Sequence, residues 1–182
     1  LSIEAGDIGE RWYASEFPDG EFFTSGVVPG RLESVMRQDD RALWLLGFAS
    51  AEPDPPEGRT LLKYEEPVAL YRFPIEPGTE YAVSSRIMDG ELRGLPFAGR
   101  DTYEVQVDAA GKLILPDLSF DQAHRVRVKV TVEPAVGMAV TRRQVSMLFE
   151  CFGEVARAVP PEGNTEEDFT TAAEWRRLSL EE

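Results

Sequence analysis

The chain has 182 residues, 42% of them hydrophobic, with 19 basic against 33 acidic residues and a formal charge of -14. That length suits one domain or at most two small ones, and the apolar content suffices for a sizeable core, which excludes wholesale disorder. A surface this acidic repels polyanions, which are bound through Lys and Arg at phosphates, so nucleic acid and anionic membrane surfaces are set aside as partners.

The acidity itself reads first as a solubility device. Cys151 is the only cysteine and permits no internal disulfide, and His124 is the only imidazole. No apolar run reaches the roughly 20 residues of a membrane-spanning helix. The chain opens Leu1-Ser2-Ile3 without Met. The expectation is a removed N-terminal segment: a signal peptide, a lipoprotein leader or another trimmed stretch.

Gly and Pro, 15 and 13 of them, are spread along the chain and cut it into short segments. That rhythm predicts a mainly β protein with frequent turns. In chain order, residues 32–37 read as a strand, and 41–50, dense in Leu, Trp and Phe, as a buried one. Residues 51–58, with Pro53, Pro55 and Pro56, read as a loop, because proline cannot donate to a ladder. The loop's Glu52, Asp54 and Glu57 lack the ordered oxygen spacing and turn glycine of a calcium loop.

Residues 60–64 and 68–73 read as two further strands. Residues 80–88 alternate at Tyr81, Val83 and Ser85, followed by turns at Asp89-Gly90 and Leu95-Pro96. Residues 102–107 alternate at Tyr103, Val105 and Val107. Asp108-Ala109-Ala110-Gly111 then reads as a hairpin turn, with 112–115 as the partner strand. Residues 124–132 carry the clearest signal. Val126, Val128, Val130 and Val132 fall on one face, and Arg125, Arg127, Lys129 and Thr131 on the other. The basic stripe reads as solvated or paired with acids rather than as a binding site.

Residues 145–159 fit two periods. Val145, Leu148, Phe149, Phe152, Val155, Ala156 and Val159 share a helical face, while Val145, Met147, Phe149 and Cys151 alternate as in a strand. The end of the chain reads as a short helix: Thr165 can cap it, Glu166, Glu167 and Asp168 load its first turn, and Arg176 and Arg177 sit late. Phe169, Ala172 and Ala173 would face the body.

Five phrases together carry a resemblance. They are Gly9-Glu10-Arg11-Trp12-Tyr13, Leu61-Leu62-Lys63-Tyr64, Phe73-Pro74-Ile75-Glu76-Pro77-Gly78 with Tyr81, Asp101-Thr102-Tyr103-Glu104-Val105, and Phe149-Glu150-Cys151-Phe152-Gly153-Glu154-Val155-Ala156-Arg157. In these the chain resembles a loose group of bacterial exported proteins, often lipoproteins, akin to the periplasmic half-barrel lipoprotein carriers. The resemblance implies a curved antiparallel sheet, a half-barrel or a sandwich, with 145–159 as two β segments joined at Gly153. It also implies an export leader, a place in the periplasm or at the outer-membrane surface, and lipid anchoring through the removed N-terminus. The phrases are turns and core aromatics, so no functional residue comes with them.

Catalytic constellations are sparse. A serine hydrolase needs a base beside its nucleophile, Gly-x-Ser-x-Gly is absent, and His124 stands at the mouth of a valine strand. A Cys151–His124 dyad is arithmetically available, but a core cysteine and a strand-end histidine are the plainer reading. Zinc sites draw on His and Cys, of which there is one each. Gly90-Glu91-Leu92-Arg93-Gly94 lacks the lysine and spacing of a P-loop. Glu150 and Glu154 form a nominal carboxylate pair, such as a carbohydrate-active enzyme uses across a cleft.

The aromatics are the remaining feature: Trp12, Tyr13, Phe17, Phe22, Phe23, Trp44, Phe48, Tyr71 and Phe73. On a curved sheet some would line the concave side, where pockets for apolar ligands are built. The expected ligand-binding set is Trp44, Phe48, Tyr71 and Phe73. The sequence thus predicts one β-rich domain that is not an enzyme and takes no cofactor. It would be an exported binding module for an apolar small molecule or a cell-envelope protein. The alternative is a glycan-binding or carbohydrate-active domain using surface Trp with paired carboxylates.

Overall fold

A computed structural model of the chain describes residues 5–25, 32–150 and 152–179. It is mainly β: one antiparallel sheet of 11 strands whose spatial order is their order in the chain. The strands are β1 (Ala5–Asp7), β2 (Phe22–Ser25), β3 (Leu32–Gln38), β4 (Ala42–Ser50), β5 (Leu61–Arg72) and β6 (Glu80–Leu92). They continue with β7 (Leu95–Ile114), β8 (Ser119–Pro134), β9 (Val140–Phe149), β10 (Gly153–Val159) and β11 (Glu174–Arg177). Antiparallel pairing lets each strand turn back onto the one before it, and a meander results.

The chain's contacts gather into two compact units. The first holds residues 1–73, 83–101 and 132–139. Its core packs Ile8, Tyr13, Phe17, Phe23, Val35, Leu46 and Ala49, with Trp12, Trp44 and Leu61 against them. Tyr13 meets Trp12 and Phe17 edge-on, at ring-centroid distances of 5.6 and 6.0 Å, the geometry the ring quadrupoles favour. The second unit holds residues 74–82, 102–131 and 140–182, around Leu115, Phe120, Ala123, Val155 and Ala156.

The valine strand folds as its period requires. Val126 and Val128 are buried, Val130 and Val132 half-buried, and the cations opposite are paired. Asp108 takes both Arg125 and Arg127, Arg127 also holds Asp168, and Lys129 pairs with Glu104. Burial works to raise the Asp108 carboxyl's pKa, but hydrogen bonds from Arg125 and Arg127 outweigh it and hold the group below its ordinary value. Residues 145–159 fold as β9 and β10, meeting at Gly153.

Several expectations are corrected. The turns expected at Asp89-Gly90 and Leu95-Pro96 lie inside β6 and β7, and the chain reverses at Arg93-Gly94 instead. The hairpin at Asp108-Ala109-Ala110-Gly111 does not form; β7 runs straight through it. The Asp108 side chain that would have bonded the turn's own backbone is drawn across to two arginines on β8. Residues 60–64 and 68–73 are one strand, not two. Its register to β4 jumps from Lys63 to Val68, so Tyr64, Glu65, Glu66 and Pro67 leave that pairing as a bulge opposite Leu46.

The C-terminal helix is absent as well: residues 174–177 form β11, which pairs with β10 from Ala156↔Arg177 to Val159↔Glu174. The residues meant for its first turn are claimed otherwise. Asn164 accepts the Glu166 N–H in a local turn at 2.9 Å, and Asp168 reaches Arg127. A helix this short is marginal without an apolar face to bury, and pairing with a sheet edge satisfies the backbone instead.

Candidate functional site

One end of the first unit is built from three connections. The β6–β7 hairpin turns on Arg93 and Gly94, with φ of 52° and 77°. A two-residue turn with positive φ at both positions matches the twist of its flanking strands, and glycine takes the second place without strain. The loop of residues 51–58 is fastened to this turn. Gly94 N–H donates to the Arg59 carbonyl at 2.8 Å, and Arg93 N–H donates to the Thr60 hydroxyl at 3.1 Å. The β8–β9 connection is fastened to the start of β7 by Ala135 N–H donating to the Ala98 carbonyl at 2.8 Å.

These connections present apolar side chains to solvent. Leu95 is 68% exposed, Val136 92% and Met138 88%, and Leu92 and Met88 on β6 add to them. Single exposed apolar residues are ordinary; several on connections tied to one another at one end of a sheet are the setting in which interaction surfaces are found. The neighbouring charges are mostly acidic. Glu52, Asp54 and Glu57 stand exposed on the loop and Glu133 at the end of β8. Of the nearby arginines, Arg59 is spent on Glu91, to which it donates at 2.9 and 2.6 Å, while Arg93 on the turn itself and Arg100 on β7 are exposed.

The sequence-nominated aromatics lie elsewhere in the same unit and do not share one surface. Trp44 packs against the first core, with the Arg37 guanidinium 5.8 Å from its ring. Phe48 meets Tyr64 edge-on at 6.1 Å. The reason they part is Leu46. It is an extra residue on β4 opposite the Val35–Met36 step, and it turns Phe48 to the face opposite Trp44. Tyr71 is 5% exposed, and Phe73 is half-buried where its N–H donates to the Arg41 carbonyl.

A second feature of this unit is a polar depression of about 380 Å³ lined by Glu65, Glu66, Ser84, Ser85, Arg86 and Arg100. It follows from Pro67: with no N–H to give, the strand bulges and throws Glu65 and Glu66 outward. The lining serves that bulge. Ser85 Oγ accepts the Glu66 N–H at 3.1 Å, and Arg86 donates to Glu65 at 2.9 Å. Deeper in the same unit, Tyr64 donates to Asp101, both buried.

Two further polar groups are committed to the fold. Glu33 is 1% exposed and accepts from the Tyr13 hydroxyl at 2.6 Å and from Arg11 at 2.9 Å. Glu154, of the nominal carboxylate pair, is held by Ser146 and Arg157. His124 is half-buried on β8. Cys151, with the Leu1-Ser2-Ile3 start, lies outside the described residues.

Sequence reasoning passed over Leu95, Val136 and Met138. The signal was Val136-Gly137-Met138 standing in a break between two strands, where polar turn residues are the norm. No helix among the described residues is long and apolar enough to cross a membrane. No protein-family model, no curated protein and no solved structure matches the chain.

Proposed function

We propose that this chain is a non-enzymatic binding module that meets a protein partner through the apolar end of its first unit, outside the cytoplasm as its resemblance to exported proteins implies. The exposure of Leu95, Val136 and Met138 on connections held by backbone hydrogen bonds carries the reading. Burying such side chains against a partner stabilises a complex by about 25 cal/mol per Å² of apolar area. A pinned loop also loses little entropy when it docks.

The nominated aromatics favour this version over an apolar small-molecule site, because Trp44 and Phe48 face opposite sides of β4. Photo-crosslinking tests it in the producing cells. A photo-reactive side chain at Met138 should yield a discrete protein adduct that Val136→Asp removes. One at Asp121, exposed in the second unit, should yield none. The same pattern from both positions would remove the reading.

A second reading rests on Trp175. Its indole is 54% exposed on β11, and Arg177, two residues on and therefore on the same face, pairs with Asp117 at 3.0 Å. A flat aromatic beside hydrogen-bonding groups suits a sugar ring. Titration with a β-linked N-acetylglucosamine oligomer should then change the tryptophan fluorescence, and Trp175→Ala should abolish the change. A change that survives Trp175→Ala would dismiss the glycan reading.

A further inference from the structure

We infer that β11 is the contact of a symmetric dimer: its outer edge pairs antiparallel with β11 of a second copy of this chain, centred on Trp175. β11 ends the sheet, and among the described residues nothing pairs with its outer side. Leu178 N–H donates to the Val155 carbonyl at 2.8 Å, and the backbone groups of successive strand residues point to opposite sides. Those of Glu174 and Arg176 are therefore turned to β10, and those of Trp175 and Arg177 outward. Outward N–H and C=O groups on an edge are a template for another strand.

The side chains choose the occupant and the register. A two-fold axis normal to the sheet keeps each face on its own side, so residues standing opposite one another must share a face. Glu174 and Arg176 share the half-buried face, Trp175 and Arg177 the exposed one. With the axis at Trp175, Glu174 stands opposite the second copy's Arg176, and Arg176 opposite its Glu174. The two Trp175 residues exchange backbone hydrogen bonds, and their exposed indoles meet. An axis at Arg176 would oppose two arginines, and one at Glu174 two glutamates, which like charges forbid. Within one copy Glu174 and Arg176 are in contact, yet the buried Glu174 Oε1 and Arg176 Nε have no hydrogen-bond partner. A residue two places along the same strand is badly aimed for one. A residue directly across, with its Cα about 4.5 Å away, is well aimed.

Short and charged edges ordinarily discourage such pairing. β11 has only 4 residues, which makes the dimer weak, but the charges on its half-buried face are of opposite sign and attract in this register. Sedimentation velocity on the whole chain tests the pairing at about 0.1–1 mM protein. About 150 mM sodium chloride screens the repulsion between two copies at -14 beyond ~8 Å. The parent chain should form a dimer. Glu174→Arg alone and Arg176→Glu alone should each weaken it about tenfold, because each sets like charges opposite one another twice. Mixed in equal amounts, the two variants should associate as the parent does, since each then faces the charge it needs. Val136→Asp, in the first unit, should leave the dimer unchanged.

A parent chain still monomeric at about 1 mM would overturn the inference. So would a dimer indifferent to both charge reversals, a dimer lost with Val136→Asp, or two folded variants that fail to associate when mixed. Should a reversal unfold the chain, amide hydrogen exchange of the parent decides. The outward Trp175 N–H should gain protection between about 10 µM and about 1 mM protein, and equal exchange at the two concentrations would reject the pairing.

Discussion

Tyr13 shows what one buried polar contact costs and secures. Its ring is fully buried in the first core, so its hydroxyl needs a partner there, and Glu33 supplies one at 2.6 Å while Arg11 neutralises the carboxylate. Burial first, and then the hydrogen bond to Glu33, pushes the Tyr13 pKa well above the ordinary tyrosine value. The sign follows. A proton held more tightly in the folded state stabilises it fully below the ordinary tyrosine pKa of about 10, and that contribution drains away as pH rises beyond it. Urea unfolding at rising pH should lose ~1.4 kcal/mol per pH unit above about 10 from this residue. Tyr13→Phe should flatten that slope and cost about 1–2 kcal/mol at neutral pH, because Glu33 loses a donor but keeps Arg11. An alkaline slope identical in both proteins would show that Tyr13 does not govern it.

Among the elements, β4 and β5 owe their form to departures from regular pairing. Gly47 lies where the strands close in. A Cβ there would stand 2.0 Å from the Leu62 carbonyl oxygen and 2.9 Å from the Phe17 ring. Backbone cannot yield as a side-chain tip can, so Gly47→Ala should lower stability by about 3 kcal/mol or more, read as a fall in melting temperature. A melting temperature within a degree or so of the parent protein would mean that β4 and β5 separate there at little cost. The same strands limit what periodicity could reveal. Alternation predicts which residues lie in a strand. It loses the face of every residue beyond a bulge, which is why Trp44 and Phe48, four apart, were expected on one surface and stand on two. At Pro67 the break itself was legible, and the continuation of one strand on both sides of it was not.

For the molecule as a whole, charge is the property that acts at long range. The ion pairs among the described residues are mostly partly exposed and individually worth little, while 33 acids against 19 bases leave a net repulsion. Raising sodium chloride from about 10 mM to about 300 mM shortens the screening length from ~30 Å to below 10 Å. The melting temperature should climb by a few degrees. A fall would mean that local pairs such as Asp108 with Arg125 and Arg127 outweigh the overall field.

By itself the sequence determined the β class, the positions of β3, β4 and β8, the start of β6, and the two-faced alternation of β8. Side-chain alternation and Gly/Pro punctuation are local properties, fixed by which neighbours a residue has in the chain. Tertiary structure decided the rest. It turned the expected hairpin at Asp108 into straight strand by placing two arginines across from it. It gave Trp175 and its neighbours a strand edge to pair with instead of a helix. It also gathered Leu95, Val136 and Met138 onto one end through contacts between residues far apart in sequence. Each of these is a competition between a local preference of at most a few kcal/mol and a distant partner, and the partner is written nowhere near the residue it recruits.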